Sequence, residues 1–101
     1  MQHSVFFWLK NTISAEQRHF FEQKLKNLAK LPYLASAFVG KPAPTSDRPV
    51  TDHSFSYQTC FTFKNMEDHD FYQSGCPDHK HFVDACKDLW DRVVVYDAVA
   101  L

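Results

Sequence analysis

The chain is 101 residues long and carries 11 lysines and arginines against 12 aspartates and glutamates, a net charge of −1. We expect a single domain over residues 1–101, because this length leaves no room for two independent cores. The near-neutral charge disfavours a dedicated nucleic-acid or acidic-membrane binder, which would carry a basic surplus. No apolar run approaches the roughly 18 residues of a membrane span, and the first residues lack a signal-peptide pattern. We therefore expect a soluble cytoplasmic domain.

The aromatic content is high for so short a chain: 16% of the residues are aromatic, with 10 phenylalanines and only 2 glycines. A monomer of this size has a limited interior, so this many rings suggest burial beyond one core. The three cysteines, Cys60, Cys76 and Cys86, are an odd number and form no CxxC pair. They therefore favour reduced thiols over a disulfide framework or a structural zinc site.

In chain order, Met1–Lys10 predicts a first strand, because large apolar side chains occur on both of its alternating faces. One face carries His3, Val5, Phe7 and Leu9, and the other carries Ser4, Phe6 and Trp8. A strand that is apolar on both sides is buried on both sides.

A helix is predicted next. Ser14 followed three residues later by Gln17 is the capping-box pattern. Phe21, Leu25 and Leu28 then recur at helical spacing. The helix region ends before Pro32.

Leu34–Gly40 and Phe55–Phe63 predict the second and third strands, and the proline-rich segment Lys41–Asp52 between them predicts a loop. One face of the third strand would carry Phe55, Tyr57, Thr59, Phe61 and Phe63.

The second half of the chain predicts two helical pieces and a last strand. Asn65 caps a short helix over Glu67–Tyr72, and Asp78 caps a second one beyond an interruption at Gly75 and Pro77. The apolar stripe of the second piece is Phe82, Val83, Cys86, Leu89 and Trp90. Arg92–Val99 is rich in β-branched residues and predicts the fourth strand.

This order, βαββαβ, is typical of the ferredoxin-like α+β arrangement, with one four-stranded antiparallel sheet and helices on one face. The chain offers no further helix for the other face of the sheet. A second copy of the chain is the economical cover, so we expect a homodimer.

Two of the six histidines are predicted to point inward. His79 lies seven residues before Cys86, within about 20° of the centre of the apolar stripe, whereas His81 falls roughly 140° away. His79 and His81 therefore make a poor metal-ligand pair. His3 shares a strand face with Val5 and Phe7.

Inward histidines in aromatic surroundings are suited to acid–base work. The more common role of such a residue is that of a core histidine that bonds a backbone carbonyl. Tyr57 and Tyr72 are phenols that could join such a site or simply pack. His19, His53 and His69 lie in polar contexts and are predicted to be at the surface.

Other catalytic patterns are weak. The chain has no glycine-rich phosphate loop and no GxSxG elbow. Cys76 lies near His79 in sequence and is a possible nucleophile, but the negative charge of Asp78 opposes formation of its thiolate.

Four segments together resemble the stress-responsive α/β barrel (Dabb) family over nearly the whole chain. They are HSVFFWLK at His3–Lys10, GKPAPTSDRPVTD at Gly40–Asp52, CPDHKHF at Cys76–Phe82 and LWDRVVVYD at Leu89–Asp97. The resemblance implies a dimeric α/β barrel, in which two four-stranded sheets face each other with the helices outside. It also implies kinship with cyclase-like and monooxygenase-like barrels that use neither a metal nor an organic cofactor.

The enzymatic relatives that this resemblance brings in are plant polyketide cyclases, which use a histidine and a tyrosine in a pocket between sheet and helices. By resemblance, His79 matches the catalytic histidine of the HPxH segment and His3 matches a pocket histidine. Phe21, Phe82 and Tyr57 match positions of the wall, where they would contact a ligand.

Two departures bear on the catalytic reading. Cys76 replaces the first histidine of HPxH, and the stretch from Tyr72 to His79 is one residue longer than in the cyclases. That extra residue would swing Tyr72 away from the site.

Three functions remain open from the sequence. The first is a dimeric accessory protein that binds an apolar or aromatic small molecule. The second is a cofactor-free enzyme, cyclase-like or monooxygenase-like, that uses His79 with His3. The third is a structural homodimer whose pocket is filled by its own side chains.

Overall fold

Strands and helices alternate along the chain in the predicted order, βαββαβ, with the second crossover split into two helices. The structure is a computed structural model that describes residues 1–101. The elements are β1 Gln2–Leu9, α1 Ala15–Leu28, β2 Ser36–Gly40, β3 Tyr57–Thr62, α2 Met66–Ser74, α3 Pro77–Cys86 and β4 Trp90–Ala98. All strand pairs are antiparallel, in the order β2-β3-β1-β4. This confirms the predicted ferredoxin-like α+β fold.

Helix α1 begins where the sequence predicts, at a complete capping box. The Gln17 amide donates to the Ser14 hydroxyl over 3.0 Å, and the Ser14 amide donates to Gln17 Oε1 over 2.8 Å. Its buried face carries Phe21, Leu25 and Leu28, which pack against the sheet in a single apolar core. Capping at one end and burial along one face thus define this helix.

Helix α3 begins differently from the prediction. Its N-cap residue is Cys76, with no side-chain hydrogen bond, and Pro77 is the first helical residue. A proline suits that position because its φ is already helical and its missing N–H has no partner there. Asp78 therefore lies in the first turn, where the helix dipole stabilises its negative charge. The expectation that Asp78 caps the helix is wrong.

Other element boundaries also differ from the prediction, including the end of α3 and the start of β3. Helix α3 ends at Cys86 and a single 3₁₀ turn, Lys87–Leu89, leads into β4, so Trp90 begins a strand rather than extending the stripe. Phe55 precedes β3, and its ring lies 5.0 Å from the Phe6 ring on the other side of the sheet, not beside Tyr57.

The pairing of β1 with both neighbours divides the sheet into two faces. The inner face, against the helices, carries the buried residues of β1: His3, Val5, Phe7 and Leu9. The outer face carries the alternate residues of β1 and the residues that pair with them across the sheet. Its aromatic side chains include Phe6, Trp8, Phe38 and Tyr96. Phe38 is 56% exposed and Tyr96 is 64% exposed. None of the helices combines the length and hydrophobicity that a membrane-spanning segment needs.

Candidate functional site

A pocket of about 270 Å³ lies between the inner face of the sheet and helices α2 and α3. Its polar wall consists of His3, Thr59, Tyr72, Gln73 and His79. Apolar side chains complete most of the remaining wall, among them Phe7, Phe82, Val83, Trp90, Val93 and Val95. No aspartate, glutamate, lysine or arginine lines it. The pocket therefore combines an apolar interior with a few convergent polar groups, which is typical of small-molecule sites.

His79 lies on the first turns of α3 and faces the pocket, whereas His81 is exposed on the same helix. The predicted orientation of this pair is confirmed. Burial lowers the pKa of His79 below its ordinary value of 6.5, and the neighbouring His3 adds to this effect. The imidazole is therefore neutral near pH 7 and has a free lone pair, as a general base requires.

Tyr72, on α2, is 3% exposed, and its ring centroid lies 4.4 Å from that of His79. Burial raises the pKa of this phenol, which keeps the hydroxyl protonated and able to donate a hydrogen bond. The longer connection to His79 contains Gly75, which caps the C-terminus of α2 through a bond from its amide to the Phe71 carbonyl. The expected displacement of Tyr72 does not occur.

His3 is buried on β1, as predicted, and its Nδ1 lies 2.5 Å from Asp97 Oδ1 on β4. The side chain of His69 is only 12% exposed, and its ring centroid lies 5.1 Å from that of His3. The prediction of His69 as a surface residue is therefore wrong, whereas His19 is exposed as expected. No spacing in the sequence relates His69 or Asp97 to His3, because only the fold joins them.

Of the three residues that the resemblance places in the pocket wall, one lines this pocket and two do not. Phe82 lines the pocket, but Phe21 and Tyr57 do not. Phe21 is fully buried between α1 and the sheet, and the Tyr57 hydroxyl donates to Glu22 Oε2 over 2.5 Å. Contact of Phe21 and Tyr57 with a ligand stays a prediction.

Cys76 is buried, and its sulfur accepts a hydrogen bond from the Tyr33 hydroxyl over 2.8 Å. The thiol is not part of the pocket wall. These contacts give Cys76 a packing role at the start of α3.

The pocket can hold a neutral ligand and exchange one proton with it. His79 offers a neutral imidazole, and Tyr72 offers a phenolic donor beside it. A base and a donor in contact at an apolar cavity suit proton abstraction next to a carbonyl, with the developing oxyanion held by the donor.

Solved structures share this fold over most of their length. A Dabb family protein with a ferredoxin-like fold from Mesorhizobium loti is 20% identical, with a TM-score of 0.77, covering 99% of this chain and 95% of that chain. A hydroxynitrile lyase from Passiflora edulis is 21% identical, with a TM-score of 0.73, covering 94% and 87%. A dimeric ferredoxin-like protein from Thermobifida fusca is 18% identical, with a TM-score of 0.72, covering 94% and 85%. At these identities the likeness shows the fold.

Family assignment rests on the sequence itself. Among curated proteins, none matches this chain. The family model described as the stress responsive A/B barrel domain matches residues 1–100. The chain therefore belongs to the stress responsive A/B barrel (Dabb) domain family.

Proposed function

We propose that the protein is a small cytoplasmic homodimer that binds an apolar or aromatic small molecule in the pocket beside His79. The observation that carries this proposal is the uncharged, mostly apolar wall around a space of about 270 Å³. A charged ligand would lose its hydration there without gaining a counter-ion. The ligand class is therefore a neutral, largely apolar molecule with one or two polar groups.

The polar side of the wall supports a ligand that carries a hydroxyl or carbonyl group. Tyr72 and His79 touch each other at this side, and His3 lies 5.8 Å from the Tyr72 ring, centroid to centroid. A neutral imidazole accepts a hydrogen bond, and a protonated phenol donates one. A phenol or an aromatic ketone would satisfy these groups while its ring packs against Phe82 and Trp90.

The outer face of the sheet supports the homodimer. It presents exposed rings with no helix over them, a pattern typical of an interaction surface. The similar protein from Thermobifida fusca is dimeric. The three free cysteines, Cys60, Cys76 and Cys86, support a reducing compartment such as the cytoplasm.

A fluorescence titration tests the binding. The chain has two tryptophans, and in a Trp8→Phe background Trp90, which lines the pocket, is the sole reporter. We expect 2-naphthol to change the Trp90 emission saturably. Val83→Phe adds a ring to the pocket wall and should weaken binding by at least about tenfold, since overpacking costs roughly 1–3 kcal/mol.

The matched control is Ala85→Phe, which adds the same ring to an exposed position of the same helix. It should leave the affinity unchanged. Equal affinities of the Val83→Phe and Ala85→Phe proteins would place the ligand elsewhere. Absence of saturable binding for 2-naphthol and acetophenone would favour the structural homodimer.

Catalysis without a cofactor is the second candidate, and the contact between His79 and Tyr72 favours it. In this function His79 would take a proton from the carbon next to a ligand carbonyl, and Tyr72 would donate a hydrogen bond to the enolate oxygen. Delivery of the proton from His79 to a different carbon would complete an isomerase-like reaction. Attack of the enolate carbon on a second carbonyl, with the His79 proton passing to the new alkoxide, would complete a cyclase-like reaction. The similar Passiflora edulis protein is a hydroxynitrile lyase, so this fold carries catalysis elsewhere.

A further inference from the structure

A second cluster of chemistry-bearing side chains lies at the other side of His3. His3, His69 and Asp97 each offer one potential ligand atom, and these atoms all lie within 4.8 Å of one another. We propose that these three residues bind one divalent transition-metal ion, with Zn²⁺ as the best match. The cluster shares only His3 with the ligand pocket, because neither His69 nor Asp97 lines it.

The fold assembles this cluster from three distant points of the chain. His3 on β1 and Asp97 on β4 are direct cross-strand partners in the sheet. Helix α2 then places the His69 ring 5.1 Å from the His3 ring, centroid to centroid. Two strands and a helix thus hold the three side chains, which limits the reorganisation that metal binding would require.

The decisive observation is the state of the His69 ring. Its Nε2 is buried and has no hydrogen-bond partner. Asp97 Oδ2 lies 3.9 Å from this nitrogen, beyond hydrogen-bond range. Buried polar atoms are nearly always paired, so an orphaned nitrogen points to a missing partner.

The other nitrogen of His69 explains why that partner is a cation. His69 Nδ1 lies 3.1 Å from Asp70 Oδ1, a contact in which Nδ1–H donates to the carboxylate. This bond fixes the proton on Nδ1 and leaves a lone pair on Nε2, directed at the cluster. A carboxylate behind a histidine is the usual outer-shell partner of a metal-bound imidazole.

The donor set selects the type of ion. Two imidazoles and one carboxylate match Zn²⁺ and its neighbours in the first transition row, whereas Mg²⁺ and Ca²⁺ prefer oxygen donors alone. Metal–ligand bonds of about 2.0–2.2 Å require donors roughly 3–3.5 Å apart. His3 Nδ1 and Asp97 Oδ1 would separate slightly from 2.5 Å, and Asp97 Oδ2 would approach His69. The Asp97 side chain is 43% exposed, so it is free to make this adjustment.

The surroundings favour retention of an ion once it is bound. The ring centroid of Phe63 lies 6.1 Å from that of His3 and 5.6 Å from that of His69. This apolar ring excludes water on the side of the two histidines, whereas Asp97 lies on the solvent side of the site. Three protein ligands leave one coordination position for water, which is typical of open zinc sites.

Metal titration of the full-length protein tests the proposal. We expect one Zn²⁺ per chain by calorimetry, and one Co²⁺ per chain with the visible absorption of a low-coordinate site. Asp97→Asn and His69→Leu should each weaken Zn²⁺ binding by at least about tenfold and abolish the Co²⁺ spectrum. Asp97 is 43% exposed and asparagine has nearly the same shape, so we expect Asp97→Asn to disturb the packing less than His69→Leu.

Two further variants separate this site from adventitious histidine binding. His81→Leu removes an exposed histidine outside the cluster and should leave both the affinity and the Co²⁺ spectrum unchanged. Asp70→Asn weakens the hold on His69 Nδ1, so it should lower the affinity about tenfold without abolishing the spectrum. The proposal is overturned if the wild-type protein binds no stoichiometric Zn²⁺. It is equally overturned if Asp97→Asn binds Zn²⁺ as tightly as the wild type.

Discussion

At the scale of single residues, His79 and His81 show how burial sets the chemistry of a side chain. They lie two positions apart on α3, yet one lines the pocket and the other is exposed. Desolvation penalises the charged imidazolium at the pocket position, and this lowers the pKa of His79. The imidazole with this lowered pKa lies against the Tyr72 ring.

This difference predicts a pH profile for the second candidate function. With acetophenone in D₂O, proton abstraction by His79 exchanges the methyl protons for deuterium, which NMR detects. Only the neutral imidazole accepts a proton, so the protein-dependent rate should fall as the pH drops through the lowered pKa of His79. The midpoint should therefore lie below pH 6.5. His79→Ala should abolish this rate, and His81→Ala should keep it.

Either of two results would contradict the base role of His79. One is an unchanged exchange rate in the His79→Ala protein. The other is a profile with its midpoint above pH 6.5, since that would require a group whose neutral form is disfavoured by its surroundings. The His81→Ala protein controls for the loss of a histidine as such.

How much of the site the sequence predicts depends on the range of the interactions. The inward positions of His3, His79 and Phe82 follow from strand alternation and helical periodicity, which are local properties. The approach of His69 to Asp97 depends on the packing of α2 over the β1–β4 pair. Such a contact leaves no local pattern, so the polar neighbours of His69 misleadingly indicate a surface position.

At the scale of elements, the sheet also shows that local patterns predict the structure well. Alternation along β1 and β3 predicts which residues share a face, and burial confirms it for His3, Val5 and Phe7 on the inner side. The start of α3 is harder to predict from local patterns, because an aspartate that follows a proline resembles the N-cap residue of a helix. Pro77 is itself the first helical residue, and the cap moves back to Cys76.

At this scale, the prediction concerns the outer face of the sheet as a dimer interface. Tyr96 is 64% exposed, and its ring centroid lies 6.0 Å from that of Phe6. If a second copy covers this face, Tyr96→Glu would bury an unpaired carboxylate. We expect it to raise the dimer dissociation constant by at least about tenfold in sedimentation experiments, a cost of roughly 1.4 kcal/mol.

Phe20→Glu is the matched control, because Phe20 is 42% exposed but lies on α1, away from the sheet face. It should leave the dimer intact. Wild-type protein that sediments as a monomer at micromolar concentration would contradict the two-sheet arrangement. A dimer weakened equally by both substitutions would place the interface on the helices instead.

At the scale of the whole molecule, the many aromatic side chains lie on both faces of the sheet. Rings on the inner face form the core and part of the pocket wall, as Phe7 and Phe82 do. Rings on the outer face, including Phe6 and Tyr96, border a second depression of about 210 Å³. The two faces therefore offer alternative binding places for an aromatic ligand. Only the inner place is lined by His79 and Tyr72.

An NMR titration with 2-naphthol, followed through the backbone amides and the side-chain signals, distinguishes these places most directly. The inner pocket is the predicted site. The largest shifts should therefore fall on His79, Val83 and Val93, with Phe6 and Tyr96 little affected. Shifts centred on Phe6 and Tyr96 would show that the aromatic ligand occupies the outer face, and would contradict binding in the pocket beside His79.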